Sequence, residues 1–427
     1  MSTTGALRRR ATLASSVVVV LAAGALVWFA THASGEVVRT VSLNDGGVWV
    51  SNSPRALVGR LNTPAGQLDA GVGIGEGVPG TAGAAVDVVQ DGPAVLVLAG
   101  SPVRVLPIDP DTAVVRDTPS IALPLPSKAT GLPYAVPLPI DVRGGTVAAV
   151  DPSTGRVWAD RVGADGAVHS LAALAPSAPP LAVVGAVAVL AVGTDGSVYA
   201  ASAATGTVVT IGVDDAGRLR APTTAPLGFT SKAVELTVLG KRWVAYDPAT
   251  ALLHAVGLPT PVTVSDDSQS QTGGLAQVAL QQPGDDSPSV LVQTPAELKV
   301  VPLSEGNEGG TVVALADNAR VDGQGTPRPV ILARPVHVGA CLHGAWAVAA
   351  KVWFGRRCGG TTSRTTAQQA VELGSLARGS HVVGVRLQVN RGLVVLDDLD
   401  SGTLWDVDAD PVRIDDWASA SPQVQGS

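Results

Sequence analysis

The sequence is poor in charge, in aromatic rings and in sulfur. Charged residues make up 15% of the 427, aromatic residues 3%, and there are two cysteines and one methionine. With a formal net charge of −7 and no stripe of Lys and Arg, the chain lacks what is needed to neutralise a run of phosphates, so a nucleic-acid partner is excluded. Few rings also means few platforms on which bases or sugars could stack. None of the six histidines begins an H-E-x-x-H helix, and no G-x-S-x-G elbow is present. No C-x-x-C pair offers a zinc site. A G-x-G-x-x-G string does occur at Gly75, Gly77 and Gly80, but Pro79 lies inside it and no helix-forming run follows, so it reads as a loop between blades. Helical content should be low outside residues 11–33. Thr366-Ala-Gln-Gln-Ala-Val-Glu-Leu373 is the single hint, with a loop or strand as the alternative.

What is abundant is small and apolar: 46% hydrophobic residues, 49 Gly and 31 Pro, the composition of many short strands separated by turns. One turn shape recurs. Asp151-Pro-Ser-Thr-Gly-Arg-Val-Trp158 has an Asx residue, three small residues, Gly, and then apolar positions. Asn52-Ser-Pro-Arg-Ala-Leu-Val-Gly59 follows the same plan loosely, and Asp109-Pro-Asp-Thr-Ala-Val-Val-Arg116, Ser202-Ala-Ala-Thr-Gly-Thr-Val-Val209, Asp247-Pro-Ala-Thr-Ala-Leu-Leu-His254 and Asp398-Leu-Asp-Ser-Gly-Thr-Leu-Trp405 follow it with Gly or Ala at the fifth place and Ser for Asx at 202. Asx and Ser side chains close the turn onto the backbone, and Gly supplies the positive φ from which the return strand starts.

The copies begin at 52, 109, 151, 202, 247 and 398, so successive starts lie 42 to 57 residues apart until a last gap of 151 that holds three such steps. A beat of this length in an all-β pattern is that of a β-propeller with about four strands per blade. The missing copies fall near 295, where Thr294-Pro-Ala makes a degenerate turn, and near 347, where the signature is lost. The expectation is an all-β propeller of eight blades, with seven as the alternative, over residues 36–416. Val37–Ser42 and Val412–Ile414 are the candidates for closing the ring, and 417–427 should form a disordered tail. The apolar run Leu181–Val192 should be two buried strands joined at Gly185.

Residues 1–33 differ in kind. A short basic tail, 1–10, ends in Arg8, Arg9 and Arg10, and an uncharged run of about bilayer length follows within 11–33. Cations on one flank only place the N-terminus in the cytoplasm, with Trp28 and Phe29 at the outer interface. The reading is an uncleaved single-pass signal-anchor, partnered with the membrane, that puts the rest of the chain outside the cell membrane. A cleaved signal peptide ending at Thr31-His-Ala33 is the alternative.

Cys341 and Cys358 flank a strand-like segment. In an extracytoplasmic domain they should form a disulfide across a hairpin, with two free thiols as the alternative. His337, His343, Trp346 and Trp353 crowd around them as a candidate binding group, or simply as part of a stapled blade. Asp406, Asp408 and Asp410 alternate along the last strand, which puts three carboxylates on one face where Ca²⁺ could sit. Turn-forming or solvated aspartates are the competing reading, and no other cofactor is expected. Trp49, Trp158, Trp243 and Trp405 lie in or beside the repeated turns, where packing between blades explains their recurrence.

The D-x-x-T-G-x-x-W unit resembles the blade turn of quinoprotein-type (PQQ-like) propellers. The three arginines, the apolar span, Leu43-Asn-Asp-Gly-Gly-Val-Trp-Val50, Gly59-Arg-Leu-Asn62 and Gln67-Leu-Asp69 together resemble the N-terminal region of large actinobacterial envelope proteins that carry fibronectin type III or Ig-like repeats. That resemblance implies a membrane anchor followed by a propeller outside the cell, with no catalytic residues to carry over. This chain departs from the pattern in reaching Ser427 with no fibronectin-like segment. The expected function is non-catalytic: an anchored propeller that binds a protein or a cell-wall polymer. The alternative is a propeller enzyme, either a polysaccharide-active hydrolase or a quinone-dependent dehydrogenase.

Overall fold

A computed structural model describes residues 47–74, 86–100, 102–123, 138–264, 278–304, 309–326, 328–359, 367–375 and 384–420. The arginines at 8–10, Trp28, Phe29, the strand expected at 37–42 and the glycines at 75–80 lie outside them. Among the described residues no helix is long and apolar enough to cross a membrane.

The described residues form eight separate sheets, one per blade, with antiparallel pairing throughout except at one edge of blade 6. In chain order they span 47–73, 87–122, 140–183, 188–226, 235–263, 279–314, 330–375 and 385–414. The eight-blade count therefore holds. Eight apolar clusters alternate with the eight sheets, each built from two consecutive blades, and the last joins blade 8 to blade 1. Side-chain alternation produces this directly. In the fully buried strand Ala94–Ala99 of blade 2, Val95, Val97 and Ala99 pack on blade 1, while Ala94, Leu96 and Leu98 pack on blade 3. A strand covered on both faces has no polar side to show, which is why these segments read as continuous apolar runs. Large rings anchor the interfaces: Trp49 between blades 1 and 2, Trp158 between 2 and 3, Trp243 between 4 and 5, and Trp405 between 7 and 8. Burying each such side chain stabilises the ring by roughly 1.5–3 kcal/mol or more.

The repeated turn is built as its residue types require. Asp151 Oδ1 accepts from the Ser153 amide (2.9 Å) and hydroxyl (2.7 Å), and its Oδ2 accepts from Thr154 Oγ1 at 2.7 Å. Gly155 follows at φ +71°. Asp247 repeats this with Ala249 and Thr250, and Ala251 takes the left-handed place at φ 59°. In blades 1, 3, 4, 5 and 8 the turn precedes a strand of the same meander. The copy at Asp109 is displaced: it joins Arg104–Asp109 to Val114–Val115, one strand further out in its sheet. The degenerate turn at Thr294 is present, its hydroxyl accepting from the amides of Ala296 and Glu297. In blade 7 the turn is replaced by a two-residue link, Ala349-Ala350, both with positive φ, between the eight-residue strands Cys341–Val348 and Lys351–Cys358.

Other expectations change. Gly185 does divide Leu181–Val192, but only its second part is an interior strand. Ala182–Val183 is the outer edge of blade 3 and Val183 is 61% exposed, because the run straddles a blade boundary. Over the described residues of the hint at 366–373 it is the strand alternative that forms: Gln368–Gln369 pairs in parallel with the edge of blade 6, and Val371–Ser375 completes blade 7.

The tail expected from 417 begins with packed residues. Trp417 and Ala420 are buried against blade 1, the Trp417 indole donates to Gly402 O at 2.6 Å, and Ser419 Oγ donates to Leu68 O. A large apolar ring supplied a reason for order that the polar residues around it concealed. Val412–Ile414 pairs within blade 8 and not with blade 1, so the described part of the ring is closed by packing of sheet on sheet.

Candidate functional site

The first strands of successive blades face the ring axis, and the polar residues in them or just beyond them meet there. Val88, Val89 and Gln90 from blade 2, Ile140, Asp141 and Arg143 from blade 3, Leu190 from blade 4, Gln282 from blade 6, Arg334 from blade 7 and Arg386 to Val389 from blade 8 line one cavity of about 90 Å³. Residues of six blades can share a wall only on the axis.

Several of these side chains tie blades to each other. Gln282 Nε2 donates to Leu387 O at 2.6 Å, linking blades 6 and 8. Gln388 Nε2 donates to Val88 O, linking 8 and 2 in front of blade 1, which has three described strands. The Arg334 guanidinium donates to the carbonyls of Leu280 (3.2 Å), Gln281 (3.0 Å) and Leu236 (2.8 Å), gathering blades 5 and 6 onto blade 7. Asp141 Oδ2 accepts from the Val192 amide of blade 4 at 2.9 Å.

The charges are unevenly matched. Arg386 Nε lies 2.5 Å from Asp87 Oδ2, an ion pair whose N–H does not point along the contact. Burial raises Asp87 above the ordinary carboxylate value, although Arg386 pulls the other way. Glu235, buried on blade 5, is pushed up to about 7 by burial against the opposing pull of Arg334, and its Oε2 has no hydrogen-bond partner. Arg334 is itself lowered, by burial first, with Arg386 and Arg143 adding like-charge repulsion. Arg143 forms no ion pair among the described residues, and its buried Nε has no acceptor. No motif flagged these groups. The available signal was a charged or amide side chain at alternate positions in the first strand of a blade, as in Ile140-Asp-Val-Arg143 and Val385-Arg-Leu-Gln388.

The residues singled out in the sequence lie elsewhere. Cys341 and Cys358 are register partners across a ladder, Cα atoms 4.0 Å apart, and are joined as a disulfide. The group around them does not converge. His343 lies on the face of the hairpin that also carries Phe354 and Ala345, towards blade 8, whereas Trp346 and Trp353 pack towards blade 6. Positions 343 and 346 differ by an odd number, so the sheet separates them. Trp346 Nε1 donates to Thr294 O of blade 6, and burial lowers His343 to about 4, leaving it neutral. Asp406 ends its strand, Asp408 and Asp410 lie in the bend beyond it, and strict alternation is lost. Asp406 Oδ1 accepts from the Asp408 amide and Asp408 Oδ1 from the Val394 amide. Among the described residues no group of three or more His, Cys, Asp or Glu is placed to hold a metal ion.

No family model matches the chain, and no curated protein sequence is similar to it. Among solved structures, the chain is similar to virginiamycin B lyase from Staphylococcus aureus, with 10% identity, a TM-score of 0.40, and coverage of 75% of this chain and 91% of that one. It is similar to apo AztD from Citrobacter koseri, with 12% identity, a TM-score of 0.42, and 87% and 95% covered. A protein from Lactobacillus plantarum gives 11% identity, a TM-score of 0.43, and 78% and 96% covered.

Proposed function

We propose that this chain is a non-catalytic binding propeller, held at the outer face of a bacterial cell membrane by residues 11–33 and engaging an envelope protein or a cell-wall polymer. The observation that carries the reading is the use made of the axial polar groups. Gln282, Gln388, Arg334 and Asp141 hold neighbouring blades together, so the centre of the ring serves rigidity, and a rigid ring presents its loops with little ordering cost on binding. The Cys341–Cys358 disulfide supports an oxidising compartment. The basic tail and apolar span support attachment.

Formaldehyde cross-linking of intact cells carrying a tagged full chain, followed by denaturing purification, should recover one envelope protein or wall fragment in near-stoichiometric yield. Recovery of nothing above a tag-only control ends the reading. Protease added to spheroplasts should degrade the ring, and a ring protected until the membrane is lysed would remove the topology.

A further inference from the structure

We infer that the axial cavity is a binding site for one small tetrahedral oxyanion, of the size of phosphate or sulfate, gripped by Arg143 together with Arg334 and Arg386. Three guanidinium groups and a single carboxylate, Asp141, line the cavity wall. Asp141 has one oxygen engaged by the Val192 amide. Asp87 lies behind Arg386 and balances it, and Glu235 lies near Arg334. Arg143 has no such counter-charge: among the described residues it forms no ion pair. The planar fork of a guanidinium fits two oxygens of a tetrahedral anion at once.

The cavity size agrees. At about 90 Å³ it exceeds several-fold the roughly 10–15 Å³ needed by one water, which leaves room for a small anion. Because the lining comes from six blades, an anion there would bridge sheets distant in sequence and raise the stability of the whole ring.

The test uses the purified full chain in detergent with inorganic phosphate as the probe and sodium chloride at matched ionic strength as the reference. Phosphate should raise Tm by a few degrees in a saturable way, and calorimetry should give one site per chain. Arg143→Gln should weaken phosphate binding about tenfold or more, the loss expected for one charge-assisted contact. Arg143→Lys, which keeps the charge and loses the fork, should fall between the two and serves if the Gln variant does not fold. Arg218→Gln, on an exposed loop, should bind as the parent does. No phosphate effect beyond that of chloride overturns the inference. So does an equal effect in both Arg143 variants and the parent.

Discussion

The carboxylate of Asp397 in blade 8 accepts both the amide (2.9 Å) and the hydroxyl (3.1 Å) of Ser51 in blade 1, residues 346 positions apart in the chain. Both partners are fully buried, and the contact joins the two ends of the ring. Burial pushes Asp397 well above the usual carboxylate range, with the Ser51 amide pulling it down and Asp87 adding repulsion.

Ser51→Ala should cost about 1 kcal/mol through the lost hydroxyl bond, and Asp397→Ala about 1–3 kcal/mol because a buried amide is left without an acceptor. Urea unfolding at fixed pH measures both. A raised folded-state value means that the stability linked to Asp397 is fully present below its unfolded value and declines as pH rises. Asp397→Asn should therefore gain on the parent as pH increases. A constant difference between pH 5 and 8 would contradict this.

Glu235 gives a second pH dependence of the same sign. Its folded value of about 7 lies above its ordinary 4.5, so its contribution is complete below about pH 4.5 and lost as pH rises through 7. The span amounts to an upper limit of roughly 3 kcal/mol. Glu235→Gln should flatten the pH–stability curve between 5 and 8 and stabilise the chain at pH 8. Denaturant midpoints at four pH values would show it, and an unchanged slope would count against it.

The left-handed turn position offers a paired test. A Cβ on Gly155 would lie 2.1 Å from Gly185 O in addition to the unfavourable φ, so Gly155→Ala should destabilise by about 2 kcal/mol or more. Ala251 already occupies the same kind of position at φ 59°, and Ala251→Gly should gain up to about 1 kcal/mol. Thermal melts of the two variants should move in opposite directions.

Removing the disulfide by Cys341→Ser with Cys358→Ser should lower stability by about 3 kcal/mol, the chain-entropy value for a loop of this length, the cysteines being 17 residues apart. Matching denaturation midpoints for parent and double variant would show that the paired strands alone fix the hairpin.

What could be read in the sequence was local. An Asx residue, a hydroxyl and a Gly within five positions specify their turn without help, so Asp151 and Asp398 marked the beat of the ring, and Asp247 kept it with Ala251 in the Gly place. The Ala349-Ala350 link was hidden because alanine is the ordinary occupant of many conformations and announces no turn. The axial group was hidden for the opposite reason: Asp87, Glu235 and Arg386 are charged residues in short strands and Arg334 lies in a link between two of them, and such residues usually face water. Only the ring's curvature brings them together, and curvature is a property of eight packed interfaces. The pairing of Asp397 with Ser51 likewise depends on which blade meets which.

Trp417 and Ala420 have a consequence for the order of assembly. They follow every described sheet, yet they cover blade 1, so the seam they cover cannot be sealed until the last described residues have emerged from the ribosome. Blades 2 to 7 can stack on their predecessors as they appear, while one face of blade 1 waits, apolar and uncovered. Nascent chains stalled before residue 415 should therefore be the aggregation-prone species, and a chaperone acting on this protein would find its substrate at that face.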